Sequence, residues 1–258
     1  MYKISITPEE IESMEMCSFP GEIIVIDHQG WGFIKALDYL KRQKVLGFDT
    51  ESKPNFTPQH HHYGVALLQL SGPDRAYLFR IKSLTMYRRL FKVLASENIV
   101  KVGAAVADDV HGLQRYCDFK PKSFVDLQKI VWEYGIRDKS VKKMAAIILG
   151  VRISKTQQLS NWEADTLSEA QKKYAATDAW ICREMYLKLL QCEKHPLTKE
   201  EMMPPEQLEA MKRAAERREE ARRAEEQRHR EAVERRKARR RNRMKKKKDD
   251  QSIPKEGA

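Results

Sequence analysis

Short apolar runs, separated by Gly, Pro, Asn and His residues, fill the first part of the chain. Runs of this length that are rich in Val, Ile, Leu and Phe and bounded by turn-forming residues are typical of β-strands. Helical spacing of apolar residues predicts helices at 31–42 and 84–94 and from about residue 107. The predicted strands are residues 22–27, 45–51, 65–71, 76–81 and 99–105. Successive strands followed by alternating helix and strand predict an α/β fold with a mixed β-sheet flanked by helices.

The rest of the chain is predicted to be mainly helical. Residues 126–134, 141–149 and 168–191 have apolar residues at helical spacing, and Gly135 and Gly150 are placed to end the first two helices. The prolines of residues 193–205 predict a linker. Glu and Arg four residues apart then predict a charged helix at 206–244, with disorder in the last residues. The expected organisation is an N-terminal extension (1–21), a globular domain (22–192), the linker (193–205) and a C-terminal helical tail (206–258).

The positive charge of the chain is concentrated in this tail. Residues 1–203 contain 29 Lys and Arg against 25 Asp and Glu, whereas residues 204–258 contain 20 against 12. Such an imbalance favours a polyanionic partner, and the absence of an apolar face on the tail helix argues against insertion into a membrane. We therefore expect nonspecific binding of nucleic-acid phosphates by the tail. The candidate residues are Arg235, Arg236, Lys237, Arg239, Arg240, Arg241, Arg243, Lys245, Lys246, Lys247 and Lys248.

The cysteines and the N-terminus give no indication of secretion. The four cysteines form no CxxC pair and no zinc-type cluster with histidine, so we expect reduced structural thiols. Residues 1–16 lack the basic and apolar regions of a signal peptide, and no run of 18 apolar residues predicts a membrane span. We expect a soluble, cytoplasmic protein.

Asp49 and Glu51, in the segment VLGFDTE, are separated by one residue on a predicted strand. Because side chains alternate along a strand, both carboxylates are expected on the same face. Burial of two adjacent carboxylates is unfavourable unless a cation neutralises them, so the pair suggests a metal site. The alternative is that the strand ends at Phe48 and that both acids are solvated.

Two later segments contain further acids that could bind a metal but could also be a surface charge or a helix N-cap. Tyr174 and Asp178, in YAATDAW, lie four residues apart and share one face of a predicted helix, as a residue at the core edge and a surface charge often do. Asp109 and Asp108 follow a predicted strand, where either acid could be a helix N-cap or a metal ligand. A cage of carboxylates without thiolate or imidazole would suit Mg²⁺ or Mn²⁺ and the chemistry of phosphate esters. The candidate ligands are Asp49, Glu51, Asp109 and Asp178.

Taken in order, these segments resemble the DEDD superfamily of 3′-5′ exonucleases, in the branch whose third motif carries tyrosine (DEDDy), like ribonuclease D and the Werner syndrome exonuclease domain. FDTE resembles the first exonuclease motif, VGAAVADDVHGL the second and YAATD the third. The segment LGVRISKTQQLSNWEADTLSEAQKKYAATDAW also resembles the ribonuclease D pattern before the third motif. The resemblance covers about residues 23–190.

The resemblance implies a ribonuclease H-like fold and a metal-dependent exonuclease that hydrolyses DNA or RNA from single-stranded 3′ ends. It implies that the four acids bind two ions, Mg²⁺ or Mn²⁺, in a two-metal-ion mechanism that releases nucleoside 5′-monophosphates. Tyr174 would position the attacking water. Leu113 lies four residues after Asp109, which matches the family spacing and selects Asp109 over Asp108.

The loop that follows the first motif contains two candidate substrate contacts. Lys53 would contact a phosphate and Phe56 would stack on a base, with simple packing within the loop as the alternative. His60, His61 and His62 lie in the same loop, and three consecutive residues do not readily face one metal, so a solvated loop is favoured over a zinc site.

Lys155 and Trp162 are further candidate substrate contacts, on an expected helical flap beside the site. The family resemblance suggests that Lys155 contacts the substrate backbone. The alternative is that Trp162 packs the flap onto the sheet and that Lys155 is exposed to solvent.

Two other classes of function remain open. One is a catalytically silent nucleic-acid-binding or ribosome-binding protein that uses the nuclease fold as a scaffold and the tail for binding. The presence of all four acids and Tyr174 argues against it, because a scaffold does not need them. The other is a metal-dependent phosphatase of small nucleotides, which would prefer mononucleotides over oligonucleotides.

Overall fold

The computed structural model describes residues 1–54, 64–85 and 87–251. Phe56, His60, His61 and His62 lie outside these residues, and so do residues 252–258, for which disorder was expected. The chain divides into two compact units, one ending at Met202 and the other beginning at Met203.

A mixed β-sheet forms the centre of the first unit. Its strands in the described residues are β1 (Glu22–Ile26), β2 (Val45–Ser52), β3 (Val65–Ser71), β4 (Arg75–Arg80), β5 (Val100–Gly103) and β6 (Phe124–Asp126). They lie in the order β1-β4-β3-β2-β5-β6. The pairs β2–β3 and β3–β4 are antiparallel, and the pairs β1–β4, β2–β5 and β5–β6 are parallel. The mixed sheet expected from the sequence is confirmed, and β2, which carries Asp49 and Glu51, lies in its interior.

Helices cover both faces of this sheet. They are α1 (Pro8–Glu12), α2 (Trp31–Arg42), α3 (Tyr87–Leu94), α4 (Val106–Gln114), α5 (Leu127–Ile130), α6 (Val141–Leu149) and α7 (Glu169–Leu189), with 3-10 turns at Ile81–Ser83 and Val131–Tyr134. The prediction of a single helix at 126–134 is therefore wrong. Asp126 ends β6 and caps α5 by accepting a hydrogen bond from the backbone of Gln128, so strand, helix and 3-10 turn follow each other within this segment.

Alternation along the strands separates two layers of core. Phe48 and Leu70 project to one face, where they belong to the same buried cluster as Leu37 of α2, Phe91 of α3 and Val110 of α4. Gly47, Asp49 and Glu51 face the other side, toward α7. One face of β2 thus supports the apolar core, and the other supports the acids.

Small residues bring α7 close to β2. Ala175, Ala176 and Ala179 are completely buried on this helix. A Cβ atom at Gly47 would lie 1.9 Å from the carbonyl oxygen of Ala179, so only glycine fits at this position. This close approach carries Asp178, the neighbour of Ala179, to the acids of β2.

The N-terminal residues pack against the same unit. Ile6 and Ile11 form a buried cluster with Ala146 of α6. The backbone N–H of Phe19 donates to Thr177 Oγ1 over 3.0 Å, which connects this segment to α7 one residue before Asp178. Residues 1–21 thereby help to hold α7 in place.

The second unit contains α8 (Pro205–Gln251), a 47-residue helix whose described side chains are nearly all exposed. The expected charged helix is confirmed. Ion pairs join Glu209 to Arg213 and Glu219 to Arg223, as the sequence predicts, whereas Glu226 lies 3.9 Å from Arg222. Exposed pairs of this kind contribute about 0.3–0.5 kcal/mol each. No helix in the described part of the chain combines the length and the apolar character needed to cross a membrane.

Candidate active site

Three of the predicted acids converge between β2 and α7. Carboxylate oxygens of Asp49, Glu51 and Asp178 lie within 4.8 Å of one another, and each residue is partly buried. Strand alternation places the first two on one face, and the close packing of α7 places the third opposite them. An all-oxygen set of this size and charge fits a hard divalent cation such as Mg²⁺ or Mn²⁺.

The protonation of this triad reflects its crowding. Burial raises the pKa of Asp49 well above its ordinary range, and the charges of Asp178, Asp109 and Glu51 raise it further. Burial, followed by the charges of Asp178 and Asp109, raises the pKa of Glu51 to about 9. Ionisation of both groups near neutral pH therefore requires nearby positive charge, which a bound cation would provide.

Tyr174 and Lys155 affect the pKa of the third acid, Asp178. Burial raises the pKa of Asp178 to about 6, although the hydrogen bond from Tyr174 and the charge of Lys155 oppose this rise. The pKa of Tyr174 is raised, first by burial and then by the charge of Asp178 and the hydrogen bond to it. The phenol therefore remains protonated and serves as a hydrogen-bond donor.

Asp109 lies beside the triad and has its own donor. Thr50 Oγ1, between the two acids of β2 in sequence, donates to Asp109 Oδ1 over 2.5 Å. Burial raises the pKa of Asp109 to about 6, with the Thr50 hydrogen bond opposing and the charge of Asp108 adding to the rise. Asp109 in turn raises the pKa of Asp49 and Glu51, whereas Asp108 is exposed. Of the two neighbouring acids, Asp109 is the one that bonds β2 and acts electrostatically on its acids, although it belongs to neither the triad nor the cavity lining and lines, with Asp108, a separate cavity.

A strained residue sets the direction of α4, which carries Asp109. Ala105 precedes the helix with a φ of 59°, a left-handed conformation that is unfavourable for alanine. Its N–H donates to Asp126 Oδ1 over 3.1 Å, and this contact holds the turn. Sequence reasoning missed this role of Asp126, because the contact joins residues 21 positions apart.

A cavity of about 340 Å³ opens onto the triad. Its lining includes Tyr174 and four charged residues that were predicted for the site. It also includes residues that were not predicted, among them Gln128, Ser140 and Gln158. Its full lining is Asp49, Thr50, Glu51, Ala104, Gln128, Ser140, Val141, Ile153, Lys155, Gln158, Tyr174 and Asp178. Lys155 is exposed and lines this cavity, and its contact with a substrate stays a prediction.

The segment between α6 and α7 is not the helical flap that was expected from the sequence. Residues 154–167 form turns and bends without an α-helix. Side chains bind the backbone locally here: Ser154 accepts from the N–H of Thr156, and Asn161 accepts from the N–H of Glu163. Such bonds compete with the helical pattern.

Trp162 is completely buried, which contradicts the predicted contact between this residue and the substrate. Its ring centroid lies 5.9 Å from that of Tyr174, and it belongs to the buried cluster that contains Leu67 and Leu78. The alternative in which Trp162 packs the segment onto the sheet is the one observed. Trp162 therefore supports the position of the Tyr174 ring.

Gln171 and Arg80 fasten the same segment. Gln171 Nε2 donates to Ser160 Oγ over 3.0 Å and to the carbonyl of Asn161 over 3.1 Å. Arg80, at the end of β4, donates to the carbonyl of Asp165 over 2.7 Å. These contacts hold the rim of the cavity between β4 and α7.

In the part of the chain that the structure describes, the other residues predicted to contact the substrate do not lie at the triad. Lys53 is partly buried after β2 and does not line the cavity. Phe56 lies outside the described residues, so its role stays a prediction. On α8, the described basic side chains are exposed and available to a partner. They are Arg235, Arg236, Lys237, Arg239, Arg240 and Arg241.

Comparisons with known proteins agree with this geometry. A family model described as 3′-5′ exonuclease matches residues 32–192. The bifunctional 3′-5′ exonuclease/ATP-dependent helicase WRN of Mus musculus is 34% identical over 151 residues, which cover 56% of this chain and 11% of that protein. The chain spans less than half the length of the curated relatives it matches.

Solved structures share the fold. Ribonuclease D of Escherichia coli matches with a TM-score of 0.59 and 22% identity, over 66% of this chain and 44% of that chain. The exonuclease domain of Nibbler from Aedes aegypti matches with a TM-score of 0.58 and 22% identity, over 68% of this chain and 91% of that chain. The predicted fold class, a mixed sheet flanked by helices like that of ribonuclease D, is confirmed.

Proposed function

Since the chain belongs to the 3′-5′ exonuclease family, we propose that it is an active, metal-dependent enzyme that removes nucleotides from single-stranded 3′ ends. The products are nucleoside 5′-monophosphates. The observation that carries the proposal is the cluster of Asp49, Glu51 and Asp178 in one cavity, with Asp109 beside it. A protein that only binds nucleic acid would have no use for four acids that repel each other in a partly buried site.

The acids are the residues that would hold two divalent ions. When bound, Mg²⁺ or Mn²⁺ would offset the negative charge of the transition state and lower the pKa of water. Asp49, Glu51 and Asp178 provide the set of oxygens that fits such an ion, and Asp109 provides a fourth carboxylate within electrostatic range of Asp49 and Glu51. Because these carboxylates repel one another, they bind a cation more favourably than an uncharged ligand such as water.

Tyr174 and Lys155 have distinct parts in the proposed reaction. The Tyr174 phenol stays protonated and donates its single proton to Asp178, so its oxygen orients the attacking water by accepting a hydrogen bond from it, and the phenol does not remove a proton from the water. Lys155, exposed at the cavity, contacts a phosphate oxygen of the substrate. Burial of the phenol beside Trp162 keeps its orientation fixed.

The size of the cavity supports a strand end as the substrate. About 340 Å³ is at the low end of the range for small-molecule sites, which suits one terminal nucleotide and not a duplex. The tail adds a second contact in this proposal, with the basic residues of α8 binding phosphates elsewhere on the strand.

The test compares matched DNA and RNA strands carrying a 3′ or a 5′ label, with free or blocked 3′ ends, in Mg²⁺, Mn²⁺ or EDTA. We expect stepwise release of 3′-labelled mononucleotide that requires a free 3′ end and a divalent ion. Asp49→Asn should lower kcat by about 1,000-fold, which corresponds to several kcal/mol of lost electrostatic stabilisation. Full activity of that variant, or mononucleotide release in EDTA, would refute the proposal.

A further inference from the structure

Gln69 of β3 is buried without a hydrogen-bond partner at either end of its amide. Among the described residues, the buried side-chain nitrogen and oxygen atoms that lack a partner are Nε2 and Oε1 of Gln69 and Nε1 of Trp162. Gln69 is completely shielded from solvent. An unpaired buried amide destabilises a fold, and a leucine of similar size would avoid that cost. A partner acquired in the working state of the protein would account for the glutamine.

The position of Gln69 identifies that partner. Gln69 lies directly opposite Asp49 in the antiparallel pair of β2 and β3, so the two side chains share the face that contacts α7. Cβ atoms of residues paired in this way are about 4.5–5.5 Å apart. The longer glutamine side chain can therefore reach the carboxylate of Asp49.

Asp49 is the acid directly opposite Gln69 on this face. Glu51 is paired with Leu67 and therefore lies diagonal to Gln69, and Asp178 of α7 already accepts a hydrogen bond from Tyr174. The remaining neighbours within the sheet carry no charge: Leu78 is the partner of Gln69 on β4, and Ser71 donates its hydroxyl to the carbonyl of Gly72.

Two acids of the site already have a dedicated side-chain donor. Tyr174 donates to Asp178, and Thr50 donates to Asp109. Carboxylates that bind metals are usually oriented by such donors, and loss of the donor typically weakens metal binding by about 10–100-fold.

We propose that Gln69 is a positioning residue, whose Nε2 donates a hydrogen bond to the Asp49 carboxylate when Asp49 binds a cation. The oxygen of Asp49 that does not face the cation accepts this bond, and the orientation of the carboxylate is thereby fixed. The inference rests on the proposed function, because it requires that Asp49 bind a divalent ion.

Gln69→Leu separates this role from a structural one. The substitution removes both unpaired atoms, so the metal-free variant should unfold at the same temperature as the original chain or at a higher one. Its Mn²⁺ affinity should nevertheless fall by about 10–100-fold. A merely structural glutamine would show the opposite pattern, with a lower unfolding temperature and unchanged Mn²⁺ affinity. Gln69→Met, which keeps the length and flexibility of the side chain, provides a second variant in case leucine packs poorly.

The experiment titrates the full chain and its variants with Mn²⁺, measures the free ion by electron paramagnetic resonance, and records thermal unfolding in EDTA. Ser71→Ala, on the same strand and face but one step farther from the acids, is the matched control and should bind Mn²⁺ normally. Unchanged Mn²⁺ affinity in both Gln69 variants would overturn the role of Gln69 and leave the proposed function intact. A failure of the original chain to bind Mn²⁺ would instead overturn the proposed function.

Discussion

At the scale of single residues, the site consists of acids that the fold brings close together and of hydrogen-bond donors that orient these acids. The pKa of Glu51 is raised to about 9, mainly because the residue is buried and then because Asp178 and Asp109 are near. Thr50 and Tyr174 direct two of the other acids. These two donors also lower the pKa of the acids that they orient, against the rise caused by burial.

The crowding predicts how stability depends on pH without metal. In the unfolded chain Glu51 loses its proton near its ordinary pKa of 4.5, whereas in the folded chain it keeps the proton to about 9. The folded state thus binds more protons between these values, so the free energy of unfolding should fall as pH rises. From Glu51 alone we expect a fall of roughly 4 kcal/mol between pH 5 and 8 in EDTA, measured by urea unfolding.

Glu51→Gln is the control for this dependence. It should remove the part of the fall that is due to Glu51, because the glutamine does not titrate, and leave the part that is due to Asp49, whose pKa is also raised by burial. Saturating Mg²⁺ should also reduce the fall in the original chain, since a bound cation favours ionised acids. Stability that rises over this range in EDTA would contradict the prediction.

Tyr174→Phe tests the phenol apart from its ring. We expect kcat to fall by about 100-fold with little change in KM, because the phenol oxygen that orients the water is lost while the ring still packs on Trp162. Steady-state kinetics on a 3′-labelled strand measures both constants. Tyr186→Phe, which changes another partly buried tyrosine of α7, should leave both nearly unchanged. Equal losses in the two variants would refute a specific role for Tyr174.

Sequence reasoning reached the acids but not all of their donors. The pairing of Asp49 with Glu51 follows from strand alternation, and that of Tyr174 with Asp178 follows from helical spacing, because both are local rules. Gln69 and Asp126 act on residues that are 20 or more positions away in the chain. Their roles depend on strand register and on the turn at Ala105, which no local rule gives.

At the scale of elements, the distance between α7 and β2 determines whether the triad forms. Both elements could be predicted from apolar periodicity, because their patterns are long and regular. The short elements could not: α1 and β6 were missed, and the segment before α7 was wrongly expected to be helical. In that segment, backbone N–H groups donate hydrogen bonds to the side-chain oxygens of Ser154 and Asn161, and these bonds override helical propensity.

Gly47→Ala tests this spacing. The added Cβ would lie 1.9 Å from the Ala179 carbonyl oxygen, so α7 must move away from β2. We expect a loss of about 1–3 kcal/mol in the free energy of unfolding, together with weaker Mn²⁺ binding because Asp178 moves with the helix. Chemical unfolding and a Mn²⁺ titration measure the two effects.

Gly32→Ala, in α2, is the matched control. Its Cβ would meet only Ile26 Cδ1, at an ordinary distance of 3.7 Å. Alanine should therefore leave stability unchanged or raise it by up to about 1 kcal/mol, because glycine is unfavourable in a helix. If both substitutions had the same effect, close packing of α7 would not be the cause.

At the scale of the whole molecule, two units carry different kinds of interaction. Met1–Met202 contains the acids and their cavity, while α8 carries the excess of basic residues. The charge balance of the sequence changes abruptly near residue 204. The expected consequence is that affinity for nucleic acid and chemistry at the strand end can be changed independently.

Deletion of residues 235–248 tests that independence. This stretch has 11 basic residues and no acid, so its loss should weaken strand binding and flatten the dependence of affinity on salt, by about 0.7 in the logarithmic slope for each phosphate contact removed. The kcat at saturating substrate should change little. Fluorescence anisotropy at several salt concentrations gives the slope.

Deletion of residues 206–219 is a control of equal length. That stretch has four basic and four acidic residues, so the salt slope should be nearly preserved. An unchanged slope after removal of residues 235–248 would exclude the tail from nucleic-acid binding.

The helical form of the tail gives it a definite length. At 1.5 Å per residue, the 47 residues of α8 extend about 70 Å, and Arg235 lies about 45 Å along the axis from Pro205. A flexible chain of the same 30 residues would have a mean span of about 30 Å and would also sample much shorter distances. The helix therefore acts as a spacer and not as a tether. Each helical turn added before Arg235 would move the basic residues about 5.4 Å farther from Pro205.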